Sequence, residues 1–311
     1  MAKNPPSWLL ALVAVAINVI WALCYPISKM VMAQVPPGAL TCWRLAGAAL
    51  LLLPFMRRSD FPAGPTKKEW LILALMGAIG AAGATGLQYA ATALTTASNV
   101  SLLIGLETVF TVVMAALFLG EPLRRRTWVG LATAFVGVTL ISVDPRTLNL
   151  FSGHYWQGNV LMLASIGCYA GYTIWGKLLA GRWGASALTV LPFLVASAIV
   201  VPGYAWLRPA SFWHGLLLPP HVLLIVAIIT AGVTAACYLA WNWLARHLSA
   251  SQLAYSLYVQ PIAGAIFSAL LLHEPVTPTF VAGAALIVVA MSIGVPGAPP
   301  ALPSAELADP A

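Results

Sequence analysis

Two ionisable residues stand deep inside apolar stretches of the chain, Arg44 and Glu107. Glu107 falls about nine residues into its run, roughly 14 Å along a helix, near the centre of a hydrocarbon core about 30 Å thick. A carboxyl at that depth binds a proton or the amino group of a solute. Its structural alternative is a carboxyl hydrogen-bonded or paired between helices. Arg44 falls about six residues, roughly 9 Å, into the second apolar run. A guanidinium suits a carboxylate in bidentate geometry. The alternatives are a carbonyl contact, snorkelling to the interface, or an ion pair with Glu107. Charges at such depth are costly, which makes both residues functional candidates.

Aromatic and amide side chains extend this set. Trp21, Tyr25, Tyr89, Tyr169 and Tyr258 lie within apolar runs, where a planar or cationic solute would stack on them. Trp8, Trp241 and Trp243 fall near run ends and read as an interfacial belt. Gln260 adds a donor and an acceptor; most such amides join helices to one another. Lys29 and Lys177 stand near run ends, as gate-lining charges or as anchors. Pro26 and Pro261 lie inside runs and are hinge candidates, since each removes a backbone donor. Gly77, Gly80, Gly83 and Gly86 recur every third residue and predict a close-packing face, not a phosphate loop. The cysteines Cys24, Cys42, Cys168 and Cys237 form no C-x-x-C pair and read as small buried hydrophobes. No metal site and no cofactor is expected.

The elements that position these residues follow from composition. Of 311 residues, 61% are hydrophobic and 7% charged, with a mean hydropathy of +0.91. Soluble domains carry about 25% charged residues. Lipid is therefore the solvent for most of the surface, and only helices or closed barrels satisfy their backbone there. The apolar runs are continuous, not alternating, so the fold class is an all-α membrane protein. The net charge of +7 is scattered over short turns and does not form a nucleic-acid stripe.

Ten runs are predicted, at about 8–31, 38–56, 70–93, 98–119, 126–143, 157–179, 187–207, 221–244, 249–272 and 279–296. The first is too long for a signal-peptide core and reads as a retained helix. The segment 297–311, rich in Pro and Ala, is expected to be disordered. Arg57, Arg58, Lys67, Lys68, Arg124 to Arg126, Lys177, Arg182 and Arg246 fall in alternate turns, with Lys3 on the same side; the opposite turns hold Arg146 and Arg208. The positive-inside rule then places both termini in the cytoplasm.

The chain also repeats itself. Leu119-Gly120-Glu121-Pro122 recurs as Leu272-His273-Glu274-Pro275, and Thr95-Thr96-Ala97-Ser98 aligns with Leu248-Ser249-Ala250-Ser251. At the same spacing Glu107-Thr108 falls on Gln260-Pro261. A slightly shorter spacing aligns Trp21, Tyr25 and Ser28-Lys29 with Tyr169, Thr173 and Gly176-Lys177. The domain reading is a first repeat over 8–143 and a second over 157–296. Five helices is an odd number, so the second repeat crosses in the opposite sense. Inverted repeats of this kind rock about a midplane site in many transporters.

The Ala-Ser turn, the long apolar helix, the Leu-x-Glu-Pro ending and the Gly-rich closing helix, each present twice, resemble the EamA-domain branch of the drug/metabolite transporter superfamily. The resemblance covers roughly residues 12–294. Within the superfamily the chain is similar to bacterial inner-membrane exporters of amino acids, including aromatic ones. It departs from the family pattern at Thr108, where a proline is common. The resemblance implies a ten-helix fold with a central cavity, no ATPase domain, and export of small organic solutes by alternating access. The expected partners are a small solute and the lipid bilayer, and a monomer suffices. An enzyme is disfavoured: no H-E-x-x-H or G-x-S-x-G occurs, and Asp60, Asp144 and Asp309 lie outside the runs.

Overall fold

The computed structural model describes residues 5–95, 97–142, 155–272 and 278–294. These form helices, numbered here in chain order: α1 (Ser7–Met32), α2 (Pro37–Leu52), α3 (Lys67–Leu94), α4 (Ala97–Ile104), α5 (Leu106–Leu119), α6 (Arg125–Ser142), α7 (Trp156–Leu179), α8 (Ala185–Leu207), α9 (Pro209–Leu216), α10 (Pro220–Ala245), α11 (Ala250–Ser256), α12 (Val259–Leu272) and α13 (Pro278–Gly294). Among the described residues no strand occurs. Five helices are long and apolar enough to cross a membrane: α1, α2 with its short extension to Phe55, α3, α8 and α10. Glu274, in the second copy of the Leu-x-Glu-Pro motif, and the segment 297–311 lie outside the described residues.

The starts and stops of the helices follow local chemistry. Helices α2, α9, α10 and α13 begin on a proline, whose missing N–H is unneeded in a first turn. Thr66 and Glu69 close a reciprocal capping box at the start of α3, and Ser249 and Gln252 do the same at α11. Gly120 ends α5 at φ 65°, in the left-handed region that glycine enters freely.

Two of the predicted runs are interrupted. The run at 98–119 divides into α4 and α5 at Gly105, and the run at 249–272 divides into α11 and α12 at Leu257-Tyr258. Pro261 therefore sits in the first turn of α12, where its missing N–H breaks no ladder bond, and the interruption precedes it. The first repeat is interrupted at the matching place without a proline, since Thr108 stands there.

The elements recur at constant spacing. A π-helical stretch lies at Met76–Gly83 in α3 and another at Ile229–Ala236 in α10. Helix α5 starts at Leu106 and α12 at Val259, the same spacing. Packing exchanges equivalent partners: α1 lies on α12 and α7 on α5, while α3 lies on α7 and α10 on α1. Helix α2 packs on its counterpart α8, and α6 on its counterpart α13.

Glycine permits the closest crossings. A Cβ on Gly137 would meet the Gly283 carbonyl oxygen at 2.7 Å, and one on Gly130 would meet Gly294 Cα at 2.5 Å, so α6 and α13 run backbone to backbone. In α3 the predicted glycine face is only half used. Gly77 and Gly80 press on the Pro192 carbonyl and on Tyr172, Gly83 makes an ordinary contact with Cys168, and Gly86 has nothing within 4 Å. A period of three drifts off one helical face after two turns.

The bundle has two distinguishable ends. At one end, Arg182 pairs with Glu69 at 2.8 Å, the Gly184 amide donates to the Asp60 carbonyl, and Arg246 donates to the Trp183 carbonyl. This basic end gathers the turns holding Arg57, Arg58, Lys67 and Lys68. At the other end, Trp43 donates to the Gly215 carbonyl at 2.8 Å and Thr95 donates to Asn159 at 2.7 Å.

Candidate functional site

Helices from both repeats line a cavity of about 70 Å³. Its lining reaches Met32 and Thr92, at the ends of α1 and α3, and includes no residue of the basic end.

Arg44 dominates one wall. It projects from α2 and is 5% exposed. Its Nε donates to Thr234 Oγ1 at 2.8 Å and its Nη1 to the Tyr89 hydroxyl at 2.6 Å. The guanidinium carbon lies 5.7 Å from the Tyr89 ring centroid. Among the described residues Nη2 has no hydrogen-bond partner. Three contacts thus fix the group while part of its fork stays available, the arrangement an anion-binding arginine requires.

Glu107 stands across the same cavity in the first turn of α5. The interruption at Gly105 lies two residues before it. Among the described residues no group donates a hydrogen bond to Glu107. The anticipated Arg44–Glu107 ion pair is absent, and the ion pair among the described residues is Arg182–Glu69. Arg44 is instead partnered by the neutral Tyr89 and Thr234 hydroxyls, so a guanidinium and a separate carboxyl group line one cavity.

The remaining walls are aromatic and amide. Trp21 donates its indole N–H to the Val233 carbonyl at 3.1 Å, within the π-helical stretch of α10. Thr234, the partner of Arg44, lies in that stretch too. π-Helical turns displace carbonyls and side chains from regular helical positions, which is why they recur at functional sites. Trp21 packs on Tyr238 at 5.5 Å and Trp241 at 5.2 Å between ring centroids. Tyr169 donates to Gln88 at 3.0 Å. Gln260 donates to Asn18 at 2.9 Å, and Asn18 donates to Ser256 at 3.0 Å.

Of the residues expected at a site, Trp21, Arg44, Tyr89, Glu107, Tyr169 and Gln260 line this cavity. The side chains of Tyr25, Pro26 and Lys29 lie outside the described residues. Tyr258 does not line it: it is 1% exposed and packs beside Tyr255 against Val112 and Leu131. One residue along a helix turns the side chain by about 100°, and the preceding Leu257 faces the cavity instead. Lys177 is absent from the wall, since its Nζ donates to the Ala245 and Leu248 carbonyls at 2.8 and 2.6 Å. Trp241 belongs to the core at 3% exposure and not to an interfacial belt; Trp8, at 66%, is exposed as that reading expects.

Cys24, Ser28, Thr92 and Val233 also line the cavity. A signal for two of them was present. Cys24 and Ser28 follow Trp21 by three and seven residues and so share its helical face. The unremarkable chemistry of a cysteine and a serine hid that stripe. Among the described residues no cluster of three or more His, Cys, Asp or Glu side chains is placed to hold a metal ion.

Comparison with known proteins agrees with this architecture. The model of the EamA-like transporter family matches twice, over residues 8–143 and 156–294. The chain belongs to the EamA-like transporter family. It is thus a multi-pass α-helical membrane protein, related to the drug/metabolite transporters that its doubled motifs resemble. An uncharacterized transporter of Archaeoglobus fulgidus is 27% identical over 255 residues, covering 82% of this chain and 86% of that protein. The transporter YvbV of Bacillus subtilis is 25% identical over 295 residues, covering 94% and 93%. A probable terminal-alkyne amino-acid exporter of Streptantibioticus cattleyicolor is 26% identical over 296 residues, covering 92% of each. A solved crystal structure shares the fold with a TM-score of 0.77 at 16% identity, covering 92% of this chain and 98% of that one.

Proposed function

We propose that this family member is a secondary transporter that exports small zwitterionic solutes, amino acids above all, across a bacterial-type inner membrane. The observation that carries the reading is a guanidinium and a carboxyl group that line one cavity without pairing to each other. Arg44 offers Nη2 to a carboxylate, and Glu107, to which no described residue donates a hydrogen bond, receives an ammonium group or a proton. Trp21 and Tyr238, packed edge to face on one another, supply apolar aromatic surface on which a solute side chain lies. The exporter from Streptantibioticus, named for amino-acid substrates, supports the same solute class.

In this reading the chain crosses the membrane ten times as two inverted five-helix repeats over 8–143 and 157–296, with both termini and the basic end in the cytoplasm. The cavity then opens away from the cytoplasm. Rocking of the two halves alternates its access. A second reading, export of lipophilic drugs or other metabolites, is favoured by the apolar lining of Trp21, Met32 and Leu257.

Uptake into proteoliposomes tests both. The purified protein is reconstituted and offered labelled amino acids with and without a pH gradient. Saturable uptake that unlabelled amino acids displace is the expected result. Failure of every amino acid with a folded protein, alongside displacement of a lipophilic cation, would move the assignment to the second reading.

A further inference from the structure

The Leu-x-Glu-Pro motif and Lys177 have no part in the cavity, yet they meet at the basic end on a single turn of chain. Glu121 projects there from the residues after α5. Its Oε1 accepts from the Ala250 amide at 2.7 Å and its Oε2 from the Ser251 amide at 3.0 Å. The carboxylate therefore caps the N-terminus of α11, where free amides and the helix dipole favour a negative charge. Lys177, near the end of α7, is 6% exposed. Its Nζ donates to the Ala245 carbonyl, at the C-terminus of α10, and to the Leu248 carbonyl in the turn that follows. One turn, Ala245–Ser251, is thus gripped by a carboxylate on its amides and an ammonium on its carbonyls.

The grip joins the two halves. Glu121 lies in the first repeat, while Lys177 and the turn lie in the second. Behind the turn, between the cavity and the basic end, the aromatic side chains form a plug. Trp21 packs on Trp241, Tyr238 packs on Tyr172 and Phe193, and Asn242 ties Tyr172 to Thr189. Helix α11 leads directly into the Leu257 and Gln260 wall of the cavity. Where the turn sits therefore sets where that wall sits.

We propose that Glu121 and Lys177 are positioning residues that latch the Ala245–Ser251 turn and hold the basic end of the cavity shut. Opening at this end requires the Glu121 carboxylate to leave the α11 amides, since these bonds cross between the repeats that move apart. The inference rests on the alternating-access reading but not on the solute, and its test needs none.

Cys24 lines the cavity and serves as the native reporter. The full-length protein carrying Cys42→Ala, Cys168→Ala and Cys237→Ala is placed in vesicles of known orientation. A membrane-impermeant methanethiosulfonate is then added to either side. Labelling is expected from the side opposite the basic end. Glu121→Gln and Lys177→Met should raise labelling from the basic side about ten-fold, the scale set by losing a charge-assisted hydrogen bond, and lower it from the other. Lys177→Arg, which keeps the donors, should behave as the parent. A folded Lys177→Met or Glu121→Gln protein with unchanged labelling on both sides would overturn the latch. So would an equal rise on both sides, which marks loosening without a change of access. If Lys177→Met does not fold, Glu121→Gln carries the decision. Absence of amino-acid uptake in the parent would sink the solute assignment and leave this result untouched.

Discussion

At the scale of single residues, the cavity is organised by how Arg44 is held. A 2.6 Å bond from Nη1 to the Tyr89 hydroxyl and a 2.8 Å bond from Nε to Thr234 fix the guanidinium without neutralising it. Hydrogen bonds to charged groups contribute about 1.5–3 kcal/mol. Tyr89→Phe is therefore expected to weaken solute binding roughly ten-fold with expression retained, measured as the half-saturation constant of uptake. Arg44→Lys should be worse, because an ammonium cannot hold Tyr89, Thr234 and a carboxylate in one plane. Glu107 makes a different prediction. It is the chargeable carboxylate of this wall, and its counterpart in the second repeat, Gln260, is a permanent amide. Glu107→Gln should abolish any dependence of uptake on the pH gradient while solute exchange at equal pH persists. Gradient dependence intact in that variant would remove Glu107 as the proton site.

Helices are positioned in this bundle by where backbones touch. Glycine at 130, 137, 283 and 294 allows α6 and α13 to meet along their length. Gly137→Leu should separate them and lower the melting temperature in detergent. Within α3 the contrast is internal. Gly80→Ala would bring a methyl within 3.0 Å of the Tyr172 backbone, whereas Gly86→Ala meets open space. Overpacking costs about 1–3 kcal/mol, so the first should lower the melting temperature by roughly 2–10 °C and the second should not. Equal effects of the two would show that α3 packs elsewhere than at Tyr172. The π-helical stretches at Met76–Gly83 and Ile229–Ala236 belong to the same scale. One of them supplies both the Val233 carbonyl to Trp21 and the Thr234 hydroxyl to Arg44. Regularising it would withdraw both contacts together.

For the whole molecule, asymmetry between the two ends is the main finding. Hydrogen bonds and an ion pair knit the basic end, and the cavity lining stops short of it. The proposed orientation places this end in the cytoplasm. Reporter fusions check it directly: a fluorescent protein fused after Ala311 should fluoresce, and alkaline phosphatase fused there should be inactive. The converse pattern would invert the proposed orientation and place the mouth of the cavity on the cytoplasmic side.

The all-helical class, the doubled pattern and the place of Arg44 and Glu107 inside apolar helices were legible in the sequence alone. Lipid allows few backbone solutions, and a charge in an apolar run cannot be hidden by context. The spacing of Glu107 from Gln260 was legible as well, because the repeat copies whole elements. Which side chains face inward was not. Tyr258 and Leu257 are neighbours of similar hydrophobic character, yet only Leu257 reaches the cavity. The break at Leu257-Tyr258, the π-helical stretches and the crossings they permit fix that rotation, and no single-helix period records them. The partner of Arg44 was decided in the same way. Two opposite charges at similar depth predicted an ion pair, but packing of α2 against α3 and α10 delivered Tyr89 and Thr234 to the guanidinium. Distance in three dimensions chose between a closed pair and an open site, and it left Glu107 facing the cavity.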